Sequence, residues 1–306
     1  MTRSGLLVGL CLALQALPAR AQPPDPSAEI VVTGAKPNYA RTVTDVSRIT
    51  RSPEDVFARF ETPVCPLALG LPFALARAVE SEMAQAARKA GVRIAPAGCR
   101  PNLTLVVADD GVGAIRAIQH RMPNLFQTLS GAELSALKGS AGPAWTWYEY
   151  DQKRRDGGPV EHASLLGGSS SPHAYINRNV SMSRLSETIR LDLMLAFVVV
   201  DSRAAQGLTV RQLADGAAMM GLSMVKAAQV PKLGHASALQ LFTDPAARGR
   251  IAGLTDFDRA YLSTLYSGEP GVAAERRAAD IAARVLGRLP PPRNRQERLE
   301  PPPPLG

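Results

Sequence analysis

One apolar segment late in the chain, Ile189–Asp201 (IRLDLMLAFVVVD), constrains the fold more than any other. Its first half alternates apolar and polar residues and its second half is apolar, which is typical of a β-strand that runs into a core. A β-branched run at Leu103–Ala108 (LTLVVA) predicts a second buried strand. The longest apolar run after residue 21, Leu193–Val200, is too short to cross a bilayer as a helix. These runs therefore predict a sheet inside a protein core.

Helix signals surround these strands but do not alternate regularly with them. Ser52-Pro53-Glu54-Asp55 predicts a helix start, because an N-cap residue is followed by proline and acids. Further helices are predicted at 71–90, 113–121, 130–137, 209–220, 254–266 and 272–286, and an aromatic strand at 144–151. This irregular order favours an α+β fold, with one domain at 51–287 that contains a mixed sheet and packed helices.

The first 21 residues are typical of a secretory signal peptide. Arg3 gives a positive start, residues 5–19 form a short apolar core, and Ala19-Arg20-Ala21 is a small-x-small cleavage site. We therefore expect cleavage after Ala21 and a periplasmic or secreted protein.

Both flanks of the predicted domain differ from it in composition. Residues 22–50 begin with a proline-rich stretch and continue as a polar connection, so we expect a disordered or extended linker. Residues 288–306 are rich in proline and arginine, and we expect a disordered tail.

The formal charge of +8 reflects a basic surface, but export argues against a nucleic-acid partner. The expected partner is an unknown component of the cell envelope, and no cofactor is predicted.

Three cysteines bear on the compartment. Cys11 leaves with the signal peptide, so Cys65 and Cys99 remain as an even pair in an oxidising environment. A Cys65–Cys99 disulfide is the prediction, and a pair of buried free thiols is the alternative. There is no C-x-x-C motif that would indicate a redox-active site.

The histidines give only a weak metal-site pattern. No two of the four are spaced as in H-E-x-x-H, the zinc-peptidase helix motif. Glu161, His162 and His173 flank a serine-rich loop and are the candidate metal ligands, with surface or loop histidines as the alternative.

Two candidate catalytic patterns have a simple structural alternative. Asp109 and Asp110 follow a predicted strand, where sites of α/β proteins gather, but Asp110 is also well placed to cap the next helix. Ser223-Met-Val-Lys226 has the serine–lysine spacing of penicillin-binding enzymes. Because the partner motifs of those enzymes are missing, we interpret this match as chance.

The aromatic strand offers a candidate binding surface. Trp145 and Trp147 share one face of the strand, opposite Tyr148 and Tyr150. If one pair is exposed, it could stack on a sugar or a peptide. The alternative is that both pairs pack in the core or at an edge, because aromatic residues favour strands in any case.

Four stretches resemble a domain family of unknown function found in exported proteins of Gram-negative bacteria. They are CRPNLTLVVADD (99–110), LAFVVVD (195–201), LTVRQLADGAAMMGL (208–222) and LTDFDRAYLSTLY (254–266). The last two also resemble a weakened zincin arrangement, in which an active-site helix precedes an L-T-x-x-D helix. The resemblance implies a zincin-like fold and supplies no activity, substrate or partner.

The zincin resemblance can be checked position by position. Aligning Gly221-Leu222 with the end of the H-E-x-x-H-x-x-G-L pattern places Ala214 and Ala218 at the two histidines and Asp215 at the glutamate. Alanine cannot bind zinc, so this helix is not expected to form a zinc-peptidase site. Asp215 remains a weak catalytic candidate.

The sequence therefore favours an exported, non-catalytic binding or accessory protein of the cell envelope. An atypical or degenerate metal-dependent hydrolase of the peptidase type is the alternative. The hydrolase would draw its site from Asp109, Asp110, Glu161, His162, His173 and Asp215.

Overall fold

A computed structural model of the protein describes residues 38–162, 175–176 and 187–289, which lie within one compact unit of the chain. The predicted α+β class is confirmed, because helices pack on a four-stranded mixed sheet. The sheet contains β1 (Pro66–Leu69), β2 (Leu103–Ala108), β3 (Ala144–Arg154) and β6 (Ile189–Asp201). A separate two-stranded ladder joins β4 (Glu161–His162) and β5 (Tyr175–Ile176).

Nine α-helices lie within the described residues. They are α1 (Tyr39–Ile49), α2 (Phe73–Lys89), α3 (Gly111–Arg121), α4 (Gly131–Gly139), α5 (Ser202–Ala205), α6 (Val210–Leu222), α7 (Gln240–Thr243), α8 (Asp256–Ser267) and α9 (Ala274–Val285). Short 3₁₀ helices at Pro53–Asp55, Pro123–Phe126, Ala227–Lys232 and Pro245–Gly249 connect them. Within the described part of the chain, no helix has the length and apolar composition needed to cross a bilayer.

The sheet order is β1-β2-β6-β3, with β1, β2 and β6 parallel and β3 antiparallel to β6. Strand β6 is therefore central and buried on both faces, which explains its long apolar run. Val198 and Val200 face the main core, whereas Phe197 and Val199 face a second core under α3 and α4.

Most helix starts follow from local capping chemistry. Thr255 and Asp258 form a capping box at the start of α8, in which each side chain accepts a hydrogen bond from the other residue's backbone N–H. Asp110 caps α3 by accepting a hydrogen bond from the Gly113 N–H. The end of α2 agrees with the predicted helix end near residue 90. Gly91, just past the C-cap residue, adopts a left-handed backbone with φ +85° that ends the helix.

Two sequence predictions in the N-terminal part are wrong. Residues 39–49 belong to α1 and not to an extended linker, and Val46 and Ile49 are fully buried on its inner face. The expected helix at Ser52 is only one 3₁₀ turn, because Glu54 and Asp55 adopt left-handed backbone conformations. The predicted signal peptide, residues 22–37 of the predicted linker and residues 290–306 of the predicted tail lie outside the described residues.

The predicted disulfide is present. Cys65 and Cys99 are bonded, with their Cα atoms 6.1 Å apart, so the free-thiol alternative is excluded. Asn102 reinforces the same link, because its Oδ1 accepts a hydrogen bond from the Cys65 N–H at 2.7 Å. Together these bonds hold the start of β1 beside the start of β2.

Candidate functional site

A cleft of about 590 Å³ opens beside the start of β3. One wall is formed by residues 140–146, which lead into β3 and include the first residues of that strand. The opposite wall belongs to residues 223–231, which we call the post-α6 segment, and Arg51 lies at one end. This volume falls within the range of small-molecule binding sites. Because Arg51 and Lys226 are the only cationic residues among the described residues that line it, we name it the Arg51–Lys226 cleft.

A short backbone bridge places these two cations side by side. Thr50, just after α1, pairs antiparallel with Val225 of the post-α6 segment. The Arg51 N–H donates to the Met224 carbonyl at 2.9 Å, and the Lys226 N–H donates to the Ile49 carbonyl at 2.7 Å. Met224 has a left-handed backbone with φ 44°, which turns the chain away from α6 toward this bridge.

Side-chain hydrogen bonds fix the walls of the cleft. The Thr146 hydroxyl donates to the Val225 carbonyl at 3.1 Å and so joins β3 to the post-α6 segment. The Tyr148 hydroxyl donates to the Met220 carbonyl at 2.8 Å from the buried face of β3. On the opposite face, the Trp145 indole N–H donates to the Ser140 carbonyl at 3.1 Å. These bonds indicate that the cleft is preformed.

The charge balance in the cleft is uneven. Arg51 forms an ion pair with Glu133 of α4, and both side chains are partly exposed. Lys226 has no carboxylate partner among the residues that the structure describes. Burial, and then the nearby Arg51 guanidinium, lower the pKa of Lys226. Two cations therefore face one carboxylate, which leaves an excess positive charge.

Glu133 has a second role as part of the α4 capping box. Its Oε2 accepts hydrogen bonds from the Ser130 N–H and the Ser130 hydroxyl, both at 2.9 Å. Burial on its own raises the pKa of Glu133, but the Ser130 hydrogen bonds and the Arg51 charge outweigh it and lower that pKa. The carboxylate is therefore ionised at neutral pH and fixed in position.

The acidic residues predicted after β2 lie elsewhere. Asp109 and Asp110 are exposed at the carboxyl end of β2, and neither lines the Arg51–Lys226 cleft. The Asp110 Oδ1 accepts from the Gly113 N–H at 2.8 Å, and the Asp109 Oδ1 accepts from the Ser202 hydroxyl at 2.5 Å. For Asp110, the helix-cap interpretation is thus confirmed.

The α6 residues compared with a zincin helix are buried. Ala214 and Ala218 are fully buried, and Asp215 lies within the fold with its Oδ2 accepting a hydrogen bond from the Leu254 N–H at 2.8 Å. Burial raises the pKa of Asp215, partly offset by that hydrogen bond. Asp215 therefore fastens α6 to the segment that leads into α8.

The tryptophan prediction needs correction. Trp147 is fully buried and stacks between Phe126 and Phe197, with ring centroids 4.8 and 4.6 Å away. Trp145 is 6% exposed, so the two rings do not form an exposed stacking surface. The alternative of core packing is correct, because this face of β3 is covered by α3, α4 and their connection. Trp145 still forms part of the cleft wall.

The predicted metal ligands fall outside what the structure describes. The side chains of Glu161 and His162, and residue His173 as a whole, are not among the described parts of the molecule. Among the described residues, no three His, Cys, Asp or Glu side chains gather as a metal site requires. The prediction of a metal site at these three residues stays a prediction.

His235 is partly buried and resembles part of a catalytic triad only superficially. Its Nε2 lies 3.1 Å from the Thr42 hydroxyl oxygen and 3.8 Å from Asp45 Oδ2. A triad needs the hydroxyl and the carboxylate at opposite ring nitrogens, whereas here both approach the same nitrogen. Burial lowers the pKa of His235, and its ring stacks on Phe257 at 4.8 Å.

Sequence reasoning missed Arg51 and undervalued Lys226. The Ser223–Lys226 match is no nucleophile–base pair, because Ser223 is buried and its hydroxyl donates to the Met219 carbonyl. Lys226 instead faces the cleft. A lysine shortly after the end of an apolar helix was the available signal, but its neighbour Arg51 lies far away in the chain.

Comparison of the chain with protein-family models, with curated proteins and with solved structures gives no match. The resemblance to an exported domain family and to zincins therefore stays a prediction.

Proposed function

We propose that this chain is an exported, non-catalytic binding protein of the cell envelope that holds a small anionic molecule in the Arg51–Lys226 cleft. One observation carries the proposal: Arg51 and Lys226 converge on a cavity of about 590 Å³, and one of these cations lacks a carboxylate partner within the described residues. An anion is the ligand that supplies the missing partner.

The remaining chemistry of the cleft supports binding rather than catalysis. Of the described residues that line it, none is a histidine or a cysteine. The hydroxyls of Ser140 and Thr146 donate to the carbonyls of Leu137 and Val225, at 3.0 and 3.1 Å. A nucleophilic mechanism needs a hydroxyl or thiol beside a base, and these hydroxyls are bonded to backbone instead.

Two features support export. The first 21 residues have the composition of a signal peptide. The Cys65–Cys99 bond is stable in oxidising compartments and rare in a reducing cytosol. The proposal therefore places the binding protein in the periplasm or outside the cell.

The test uses the mature, disulfide-intact protein and the fluorescent anion 1-anilinonaphthalene-8-sulfonate, which combines a sulfonate with apolar rings. Saturable fluorescence enhancement is expected. Lys226→Met should weaken binding about tenfold, because a charge-assisted contact contributes about 1.5 kcal/mol. Lys232→Met, at the end of the 3₁₀ helix that begins directly after Lys226 and outside the cleft lining, is the matched control and should bind like the wild type.

Two results would overturn this proposal. One is the absence of saturable binding by the folded wild-type protein, with folding verified by circular dichroism. The other is equal affinity of the wild type and the Lys226→Met variant, which would place the probe elsewhere on the surface.

A further inference from the structure

We infer that the Arg51–Lys226 cleft selects amphipathic monocarboxylates, and that Glu133 sets this preference as a fixed, partly exposed carboxylate bound to Arg51 beside the cleft. This inference rests on the binding function proposed above and deepens it by naming the ligand class. Three features carry it: the charge balance of the cleft, the composition of its walls and the way in which Glu133 is held.

The charge balance favours a single negative charge on the ligand. Arg51 and Lys226 carry two positive charges and Glu133 carries one negative charge, so the three groups leave an excess of one positive charge. A monoanion neutralises that excess. A dianion places its second charge close to Glu133, where like charges repel.

The walls require an apolar body on the ligand. Beyond the two cations, the cleft is lined mainly by apolar groups, among them Pro143, Trp145, Met220 and Pro231. A ligand that fills the cavity therefore buries hydrocarbon or an aromatic ring against these side chains, which stabilises binding in proportion to the area buried. A small inorganic anion lacks this contribution.

Glu133 is held so that it stays in place when a ligand binds. Its Oε2 is bonded to Ser130 within the capping box, while Oε1 accepts from Nη2 of Arg51. The described side-chain contacts of Arg51 use only Nη2, so Nε and Nη1 have no acceptor within the part of the chain that the structure describes. A guanidinium has five N–H donors, and an incoming carboxylate therefore binds Arg51 without displacing Glu133.

The experiment is isothermal titration calorimetry with three ligands of one shape. They are 2-naphthoate as monoanion, 2,6-naphthalenedicarboxylate as dianion and 2-naphthamide as the neutral form. For the wild-type protein, 2-naphthoate should bind at least about fivefold tighter than either of the others, since a partly exposed charge contact contributes about 1 kcal/mol.

Glu133→Gln tests the role assigned to Glu133. Glutamine also forms capping boxes at this helix position, so α4 should keep its start. Removing the negative charge should raise the affinity for the dicarboxylate about threefold to fivefold relative to 2-naphthoate, and leave 2-naphthamide unchanged. Glu275→Gln, at an exposed glutamate in the first turn of α9, is the control and should change none of the three affinities.

The outcomes separate this inference from the proposed function. If 2-naphthoate binds but the dicarboxylate binds equally well, or if Glu133→Gln leaves the affinity ratio unchanged, the charge selection is wrong and the binding function stands. If the anilinonaphthalene sulfonate binds and 2-naphthoate does not, the carboxylate class is wrong. If neither anion binds any variant, the proposed function itself is overturned.

Discussion

Two groups of charged side chains in this fold have opposite surroundings. Asp258, Arg59 and Arg277 lie buried around α8, and we call them the α8 support. Arg51 and Lys226 instead face an open cleft. The α8 support is surrounded by protein donors and acceptors, whereas in the cleft only Arg51 has a carboxylate partner among the described residues.

The hydrogen bonds of the α8 support are numerous. Asp258 accepts from the Ser237 hydroxyl at 2.5 Å and from the Ala238 N–H at 2.8 Å, in addition to its capping-box bonds with Thr255. Arg59 and Arg277 donate to the last carbonyls of α8 and to the residues just after it. An acid at the start and cations at the end of a helix also suit its macrodipole.

The role of a charged residue in this fold follows from its partners. A buried charged side chain whose hydrogen-bond donors or acceptors are all paired with protein atoms stabilises the fold, and its removal costs stability. A charged side chain beside a cavity whose donors lack protein partners contributes little to the stability of the fold and is available to a ligand. Substitutions in the two groups should therefore separate stability from binding.

The largest effect is expected for Asp258→Asn. The amide has one acceptor oxygen instead of two, so its NH₂ group faces protein donors that the carboxylate satisfies in the wild type. We expect a loss of about 3 kcal/mol in the free energy of unfolding, measured by urea denaturation. Asp256→Asn, at a fully exposed acid two residues earlier, should cost well under 1 kcal/mol.

A smaller loss is expected for Arg277→Met. Burial, followed by repulsion from Arg59, lowers the pKa of Arg277 to about 10, so the guanidinium stays charged at neutral pH. Methionine keeps much of the volume but leaves the carbonyls of Thr264 and Glu269 without these donors. We expect about 2 kcal/mol of destabilisation. Equal stability of Arg277→Met and its exposed neighbour variant Arg276→Met would contradict the distinction between the two groups.

One part of the α8 support is local in the sequence. The Thr255–Asp258 capping box depends on residues three apart, so its pattern is visible in the sequence. The bonds from Ser237 and Ala238 to Asp258 depend on tertiary packing and were not foreseen. In the same way, β2 and β6 were predicted because their apolar runs are contiguous.

The cleft was beyond sequence reasoning for the same physical cause. Its cations meet only because Thr50 pairs with Val225, and no local pattern predicts a bridge between such distant residues. In addition, α1 escaped detection since its buried face has few large apolar residues, chiefly Val46 and Ile49. With α1 assigned to a linker, Arg51 had no predicted position.

A pH-dependent effect is expected from His235, which stacks on Phe257 of α8. Its pKa is lowered by burial, so the unfolded chain binds the proton more tightly than the folded one. The free energy of unfolding should therefore fall as the pH decreases below about 6.5, and one proton limits the slope to about 1.4 kcal/mol per pH unit. The slope should flatten once the folded-state pKa is passed.

The measurement is a urea-denaturation series across this pH window. His235→Phe should remove the His235 contribution to the slope, whereas His120→Asn, at an exposed histidine, should leave the slope unchanged. A wild-type slope identical to that of His235→Phe would show that the ring does not titrate differently on folding.

The smallest effect on stability is expected for Lys226→Met, the substitution that should weaken ligand binding most. Because burial and Arg51 lower the pKa of Lys226, the folded state binds the Lys226 proton less tightly than the unfolded chain does. Keeping the charged ammonium at neutral pH therefore costs the folded state some stability. This penalty disappears only as the pH rises toward the ordinary lysine value. Solvent screens the exposed ammonium, so methionine should leave the free energy of unfolding within about 0.5 kcal/mol or raise it slightly. A loss comparable to that of Arg277→Met would assign Lys226 to the fold and remove the contrast on which the proposed binding function depends.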